Sequence, residues 1–174
     1  MCKACPDTGH KSGCATQASR PADSSGRRFK ILDAVLDKAA KGPLWLKDSR
    51  IAGCVVDAVD RGESILGHYA LEAFVVMPNH VHLLIAPRIP IRRITNGLKG
   101  VTARDANRIL GRTGRPFWQD ESFDHWVRSP AELNRIRVYI ESNPVSAGLA
   151  DRPEDWLWSS ASRSKPGPLN KDSH

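Results

Sequence analysis

The chain has 174 residues, with 26 Lys and Arg against 19 Asp and Glu, a formal charge of +7. That length suits one domain with some chain left over, and the positive balance favours an anionic partner, most commonly nucleic acid. No run approaches the ~18 apolar residues needed to cross a bilayer, and the polar, Cys-rich start lacks the apolar stretch of a secretory signal, which argues for a cytoplasmic protein without a membrane role.

Residues 1–28 are rich in Ser, Ala, Gly, Lys and Arg and almost free of large apolar groups. Such a segment buries too little surface to offset its ordering entropy, so it reads as a disordered leader. Cys2, Cys5, His10 and Cys14 form C-x2-C-x4-H-x3-C, one residue short of a zinc-knuckle spacing. The loop holds no aromatic residue to stack on a base, which favours a leader that carries cysteines without a metal.

From Phe29, the residues Phe29, Leu32, Val35, Leu36 and Ala39 recur at helical spacing, which predicts a helix ending at Gly42-Pro43. A second helix is expected to start at Asp48 or Ser49, either of which can cap it, with Ile51, Ala52, Val55, Val56 and Val59 inward. Cys54 falls in that apolar run and reads as buried and inert. Tyr69–Met77 and the stretch from His80 to Ala86 then read as paired strands around a Pro-Asn turn. Leu71, Ala73, Val75 and Met77 are expected on one face of the first strand, and Glu72, Phe74 and Val76 on the other.

A third helix is predicted over 91–110, with Ile91, Ile94, Leu98, Val101 and Ile109 as its core stripe. Arg92, Arg93, Lys99, Arg104 and Arg108 make most of the remainder basic, with Asp105 the one acid among them. A phosphate-facing role and a solvated face are both open for them. Gly111–Gly114 reads as a flexible basic loop, and Phe117, Trp118, Phe123, Trp126 and Val127 as aromatic-rich strand. Ser129 as N-cap, Pro130 at the first position and Glu132 completing a capping box mark the start of another helix. Leu133, Ile136 and Ile140 face its core side, and Pro144 is expected to kink it before Gly148. Tyr139 and Asn143 are four apart and share a face offset from the core stripe. Trp156 and Trp158 lie in a segment packed onto the domain, and residues 162–174 read as a flexible tail.

The chemistry centres on His80 and His82. Residues two apart on a strand point the same way, so the two imidazoles form half of a divalent-metal site. A phenol is a weak nucleophile at neutral pH, its free pKa lying near ~10. A metal held by two neutral imidazoles and an amide oxygen would neutralise charge on an attacked phosphodiester. Together these pieces are coherent with DNA strand transfer.

The run V-V-M-P-N-H-V-H-L-L-I (75–85) is similar to the signature of the HUH superfamily of single-tyrosine transposases, and Y-I-E-S-N-P-V-S-A-G-L (139–149) resembles their tyrosine helix. W-Q-D-E-S-F-D-H-W-V-R (118–128) and P-E-D-W-L-W-S-S-A (153–161) look like further blocks of the REP-associated tyrosine transposases, in the expected order. The resemblance covers 29–161, the expected catalytic domain. It implies a ferredoxin-like α+β fold, an antiparallel sheet backed by helices, with Mg or Mn as cofactor and single-stranded DNA with hairpin ends as partner. It makes Tyr139 the nucleophile and His80, His82 and Asn143 the metal ligands. Lys99 falls where relatives carry a basic residue. Relatives include monomers and dimers with shared active sites, so a homodimer is one possible assembly.

The family usually opens with a central strand of the type F-V-T-F-R, and residues 1–28 contain no run to supply it. The expectation is therefore a sheet with its first strand missing, from a start lying upstream or a decayed copy. The resulting function is a metal-dependent endonuclease and strand transferase working through a 5′-phosphotyrosine. The alternative is a catalytically inactive DNA-binding remnant, and an RNA-binding module of the same fold is the weaker third.

Overall fold

The hairpin around Pro78 anchors the architecture. In a computed structural model that describes residues 30–35, 43–118 and 122–163, strands β2 (Tyr69–Val76) and β3 (His80–Pro87) pair antiparallel across that turn. Strand β1 (Lys30–Val35) lies on the other side of β3, and β4 (Ser122–Trp126) lies outside β1. The sheet order is β2-β3-β1-β4, and every pairing is antiparallel. With α1 (Ser49–Ser64) between β1 and β2 and α2 (Ile91–Ile109) between β3 and β4, the order is the βαββαβ of the ferredoxin-like fold. The α+β sheet backed by helices is as the resemblance implied. The leader with Cys2, Cys5, His10 and Cys14, and the tail after Arg163, lie outside the described residues.

Two expectations about the first strand are overturned together. Lys30–Val35 is not the start of a helix, and the central slot is not empty: β1 pairs with β3 from Lys30↔Ile85 to Val35↔His80, and with β4 from Lys30↔Trp126 to Ala34↔Ser122. The physical reason is that an apolar run this short fits a helix stripe and a central strand equally well. Pairing partners on both sides then decide, because they satisfy backbone groups that a four-stranded sheet would otherwise leave open.

Each sheet face has its own core. On one, Val81, Leu83 and Ile85 of β3 join Tyr69, Phe74 and Val76 of β2 beneath Ile51, Val55 and Val59 of α1 and Ile94 and Ala106 of α2. On the other, Ala70, Ala73, Val75, Leu84 and Ala86 meet Ile140 of α3 (Pro130–Ser146), with Leu133 and Ile136 half-buried beside it. The strict alternation expected along β2 fails at Glu72. Leu71 pairs with Ile85 while Ala73 pairs with Leu84, so Glu72 is the extra residue of a bulge. The bulge sends Leu71 to the α1/α2 side and resets the pattern after it.

Asp48 caps α1, accepting the Arg50 N–H at 2.9 Å. Gly62 lies within that helix because the Tyr69 ring fills the space above it; a Cβ there would lie 2.2 Å from the phenol oxygen. That phenol donates to the Val59 carbonyl at 2.7 Å, and burial pushes its pKa up, with help from Glu63 and Asp60. Cys54 is half-buried rather than buried, and desolvation, with Asp105 and Asp57, raises its thiol pKa. Along α2 the stripe turns to Ile94, Leu98, Thr102 and Ala106, and Val101 is exposed. Each i+4 step turns the stripe about 40° further round the helix, so it moves away from position 101 along its length.

The open edge of β2 is sealed by the segment after α3. Val76 donates to Trp158 O at 2.8 Å, Trp156 Nε1 donates to Val76 O at 3.0 Å, and Val75 bridges Ser159. Ser160, which opens α4 (Ser160–Arg163), accepts the Phe74 N–H at 3.1 Å and donates to Glu141 Oε1 of α3 at 2.9 Å. One hydroxyl thus ties the tyrosine-bearing helix to the sheet edge.

Candidate active site

The β2–β3 turn aims the histidines. Met77 N–H closes it onto the His80 carbonyl at 2.8 Å, and Asn79 Oδ1 lies 2.8 Å from His80 Nδ1. The carboxamide oxygen can only accept, so this contact suits the tautomer with the proton on Nδ1, in which Nε2 holds the ring's lone pair. His82 follows on the same face, its ring centroid 4.7 Å from that of His80 and edge-on to it. His80 is half-buried and His82 is 8% exposed.

Helix α3 brings the tyrosine over this pair. Ser129 Oγ accepts the Glu132 N–H at 3.1 Å, and the Glu132 carboxylate reaches back to the Arg128 N–H at 2.6 Å. This start fixes the helix phase, so Ile140 enters the core while Tyr139 stands beside the strand. The Tyr139 ring lies 6.0 Å from His82, edge-on, and is 57% exposed. One turn on, Asn143 Nδ2 donates to the Tyr139 carbonyl at 3.0 Å. That bond uses the amide's donor end and leaves Oδ1 as its acceptor. Pro144 does not end α3, which continues to Ser146; Gly148 follows at φ +66, in the left-handed region that suits a helix stop.

The fold therefore brings His80, His82 and Tyr139 together, with Asn143 a turn away on the tyrosine helix. It does not bring in the basic residues of α2. Arg92, Arg93, Lys99, Arg104 and Arg108 belong to a helix packed on the opposite face of the sheet. Among the described residues, no three His, Cys, Asp or Glu side chains cluster as a metal site.

The comparisons agree with this geometry. Residues 65–143, which contain all four of these positions, match the family model described as transposase IS200-like. Over that segment the chain is similar to the IS200-like transposases. No curated protein matches it. A solved REP-associated tyrosine transposase bound to a REP hairpin is similar over 79% of this chain and 78% of its own, at 18% identity and a TM-score of 0.59, a likeness of fold. A candidate transposase from Deinococcus radiodurans R1 aligns over 66% of this chain and 88% of its own, at 24% identity and a TM-score of 0.46.

Sequence reasoning missed the residues that hold the site in place. Asn79 orients the first imidazole, and Ser160 with Glu141 holds the tyrosine helix. The signal for Asn79 was its place directly before His80. No local pattern pointed to the Ser160–Glu141 pair. No helix among the described residues is long and apolar enough to cross a membrane.

Proposed function

We propose that the chain is a metal-dependent, single-tyrosine DNA strand transferase acting on single-stranded DNA with hairpin ends. The observation that carries this is the placement of the Tyr139 ring beside the His80–His82 pair on one sheet face. Tyr139 Oη attacks the scissile phosphorus. The new bond joins the phenol oxygen to the 5′ phosphate, the P–O3′ bond breaks, and the 3′ oxygen leaves with a proton. The phenolic proton passes to water at the exposed side of the ring. The phosphotyrosine conserves the energy of the broken ester, so a free 3′ hydroxyl can reverse the step and join a different end.

His80, His82 and Asn143 would hold a divalent ion, Mn or Mg. Two imidazoles and one amide oxygen suit Mn better than Mg, which prefers an all-oxygen shell. Such an ion would supply Lewis-acid neutralisation of the non-bridging oxygens. The Asn79 hydrogen bond at Nδ1 and the Asn143 bond to Tyr139 O support this reading, since each presents a lone pair away from its own anchor. The cations of α2, with Lys99 and the four arginines 92, 93, 104 and 108, would hold DNA phosphates outside the catalytic face.

The test is cleavage of a single-stranded hairpin oligonucleotide with Mn or Mg, read as a covalent protein–DNA adduct on a denaturing gel. An adduct lost in Tyr139→Phe and in chelator supports the proposal. Hairpin binding with no adduct, unaffected by Tyr139→Phe, would show a DNA-binding remnant instead.

A further inference from the structure

The basic loop after α2 is not loose. The Arg112 N–H donates to the Asn107 carbonyl at 2.9 Å, and Asn107 Nδ2 donates to the Arg115 carbonyl at 2.7 Å. Gly111 and Gly114, at φ +63 and +82, make the turns between. Asn107 is buried, and its other amide atom, Oδ1, has no partner. An unpaired buried acceptor is destabilising, so the fold retains this loop shape against an opposing term.

What the loop holds is a cation over an aromatic. The Arg112 guanidinium lies 4.0 Å from the Trp45 ring centroid, and Trp45 stacks on Phe117 at 5.3 Å. Arg112 spends one N–H on Pro116 O at 3.2 Å. Among the described residues, no carboxylate pairs with Arg112 or with the exposed Arg115. Trp45 itself is half-buried, and its ring backs the guanidinium.

The location matters as much as the chemistry. Leu46, next to Trp45, donates its N–H to Pro78 O at 3.1 Å, in the turn that leads to His80. The chain after the loop re-enters the sheet at Ser122, opposite Ala34 and one residue from the Val35↔His80 pair. The loop thus stands at the His80 end of the sheet, around the corner from the tyrosine face. A guanidinium stacked on an indole takes a base on its outer face and a phosphate at its edge. A paired duplex offers only the phosphates.

We infer that Trp45, Arg112 and Arg115 form a platform for the single-stranded DNA flanking the cleavage point, where that strand passes the His80 end of the sheet. This rests on the proposed DNA reading and extends it to a strand path. The test uses the full chain and two labelled DNA hairpins. One is blunt, and the other carries a single-stranded flank of about six nucleotides, the scale of one single-strand site. Affinity is measured by fluorescence anisotropy over a salt series.

Arg112→Gln/Arg115→Gln is expected to weaken flanked-hairpin binding by about tenfold or more and to flatten its log–log salt slope by about 1.4. Affinity for the blunt hairpin and adduct yield at saturating flanked DNA stay as in the unaltered chain. Trp45→Leu loses affinity for the flank, whereas Trp45→Phe keeps most of it. Arg115→Gln alone, at an exposed side chain, guards against a folding artefact. Equal loss on both hairpins, no loss on either, or stronger binding to an RNA flank of the same sequence overturns the platform. Flank-dependent loss without any adduct from the unaltered chain keeps the platform and removes the catalytic reading. Absence of DNA binding by the unaltered chain removes both.

Discussion

The two faces of the sheet are filled differently. Under α1 and α2 lie large, fully buried side chains, among them Tyr69, Phe74 and Ile85. Under α3 lie three alanines, Ala70, Ala73 and Ala86, with Val75, Met77 and Leu84, the buried Ile140 and Pro144 of the helix, and a half-exposed phenol. On this face the tyrosine ring stands 6.0 Å from that of His82. Stability is concentrated on one side of the strand backbone and the candidate chemistry on the other, so each can be changed with little disturbance of the other.

Substitutions can break that division. The largest expected effect is Tyr139→Phe, which should abolish the covalent adduct while leaving the melting temperature within a degree or two, because the ring is largely exposed. A large fall in melting temperature would show that the two faces are not separable. On the other side, Phe74→Ala should cost ~3–5 kcal/mol in denaturant unfolding, with the catalytic side chains untouched. Gly62→Ala drives a methyl into the Tyr69 ring and should cost ~1–3 kcal/mol. Gly62→Ala combined with Tyr69→Phe, which removes the oxygen nearest that methyl, should recover part of the loss.

Smaller effects sharpen the same contrast. Ser160→Ala leaves the Phe74 N–H and the Glu141 carboxylate without their shared partner and should cost ~1–2 kcal/mol. Unlike the core changes, it should also slow adduct formation at saturating DNA, since it loosens α3 at Glu141, two residues from the tyrosine. The smallest effect lies at the α1 cap. The side-chain hydrogen bond from Arg50 holds the Asp48 carboxyl down at about 2, from an ordinary 3.8. A carboxylate with a lowered folded pKa contributes stability above its unfolded value and loses it as pH falls. Melting temperature should therefore drop between about pH 4 and 2, and Asp48→Asn should make that limb slightly shallower.

Much of the site was legible because its signals are local. Ser129, Pro130 and Glu132 announce the start of α3 by capping chemistry alone, and from that start the phase of Tyr139 and Ile140 follows. His80 and His82 follow from the two-residue period of a strand. The failures share a different cause. Lys30–Val35 looked helical because a central strand, paired on both sides, shows no clean alternation; its identity comes from β3 and β4, distant in the sequence. The bulge at Glu72 put Leu71 and Ala73 on opposite faces through a pairing slip that no single strand records. The gap between basic composition and basic placement is of the same kind. The α2 cations were visible as a charge run, but only the fold puts them behind the sheet.

The segment that covers β2 also bears on self-association. A bare strand edge offers its N–H and C=O groups to any other edge, including that of a second copy. Here Trp156, Trp158, Ser159 and Ser160 take up those groups from within the same chain. A second sheet would have to displace two tryptophans and a serine bonded to Glu141 before it could add a strand there. Two copies that associate are thus steered away from joining through β2, and proteolytic loss of this segment would turn a self-contained sheet into one that recruits strands.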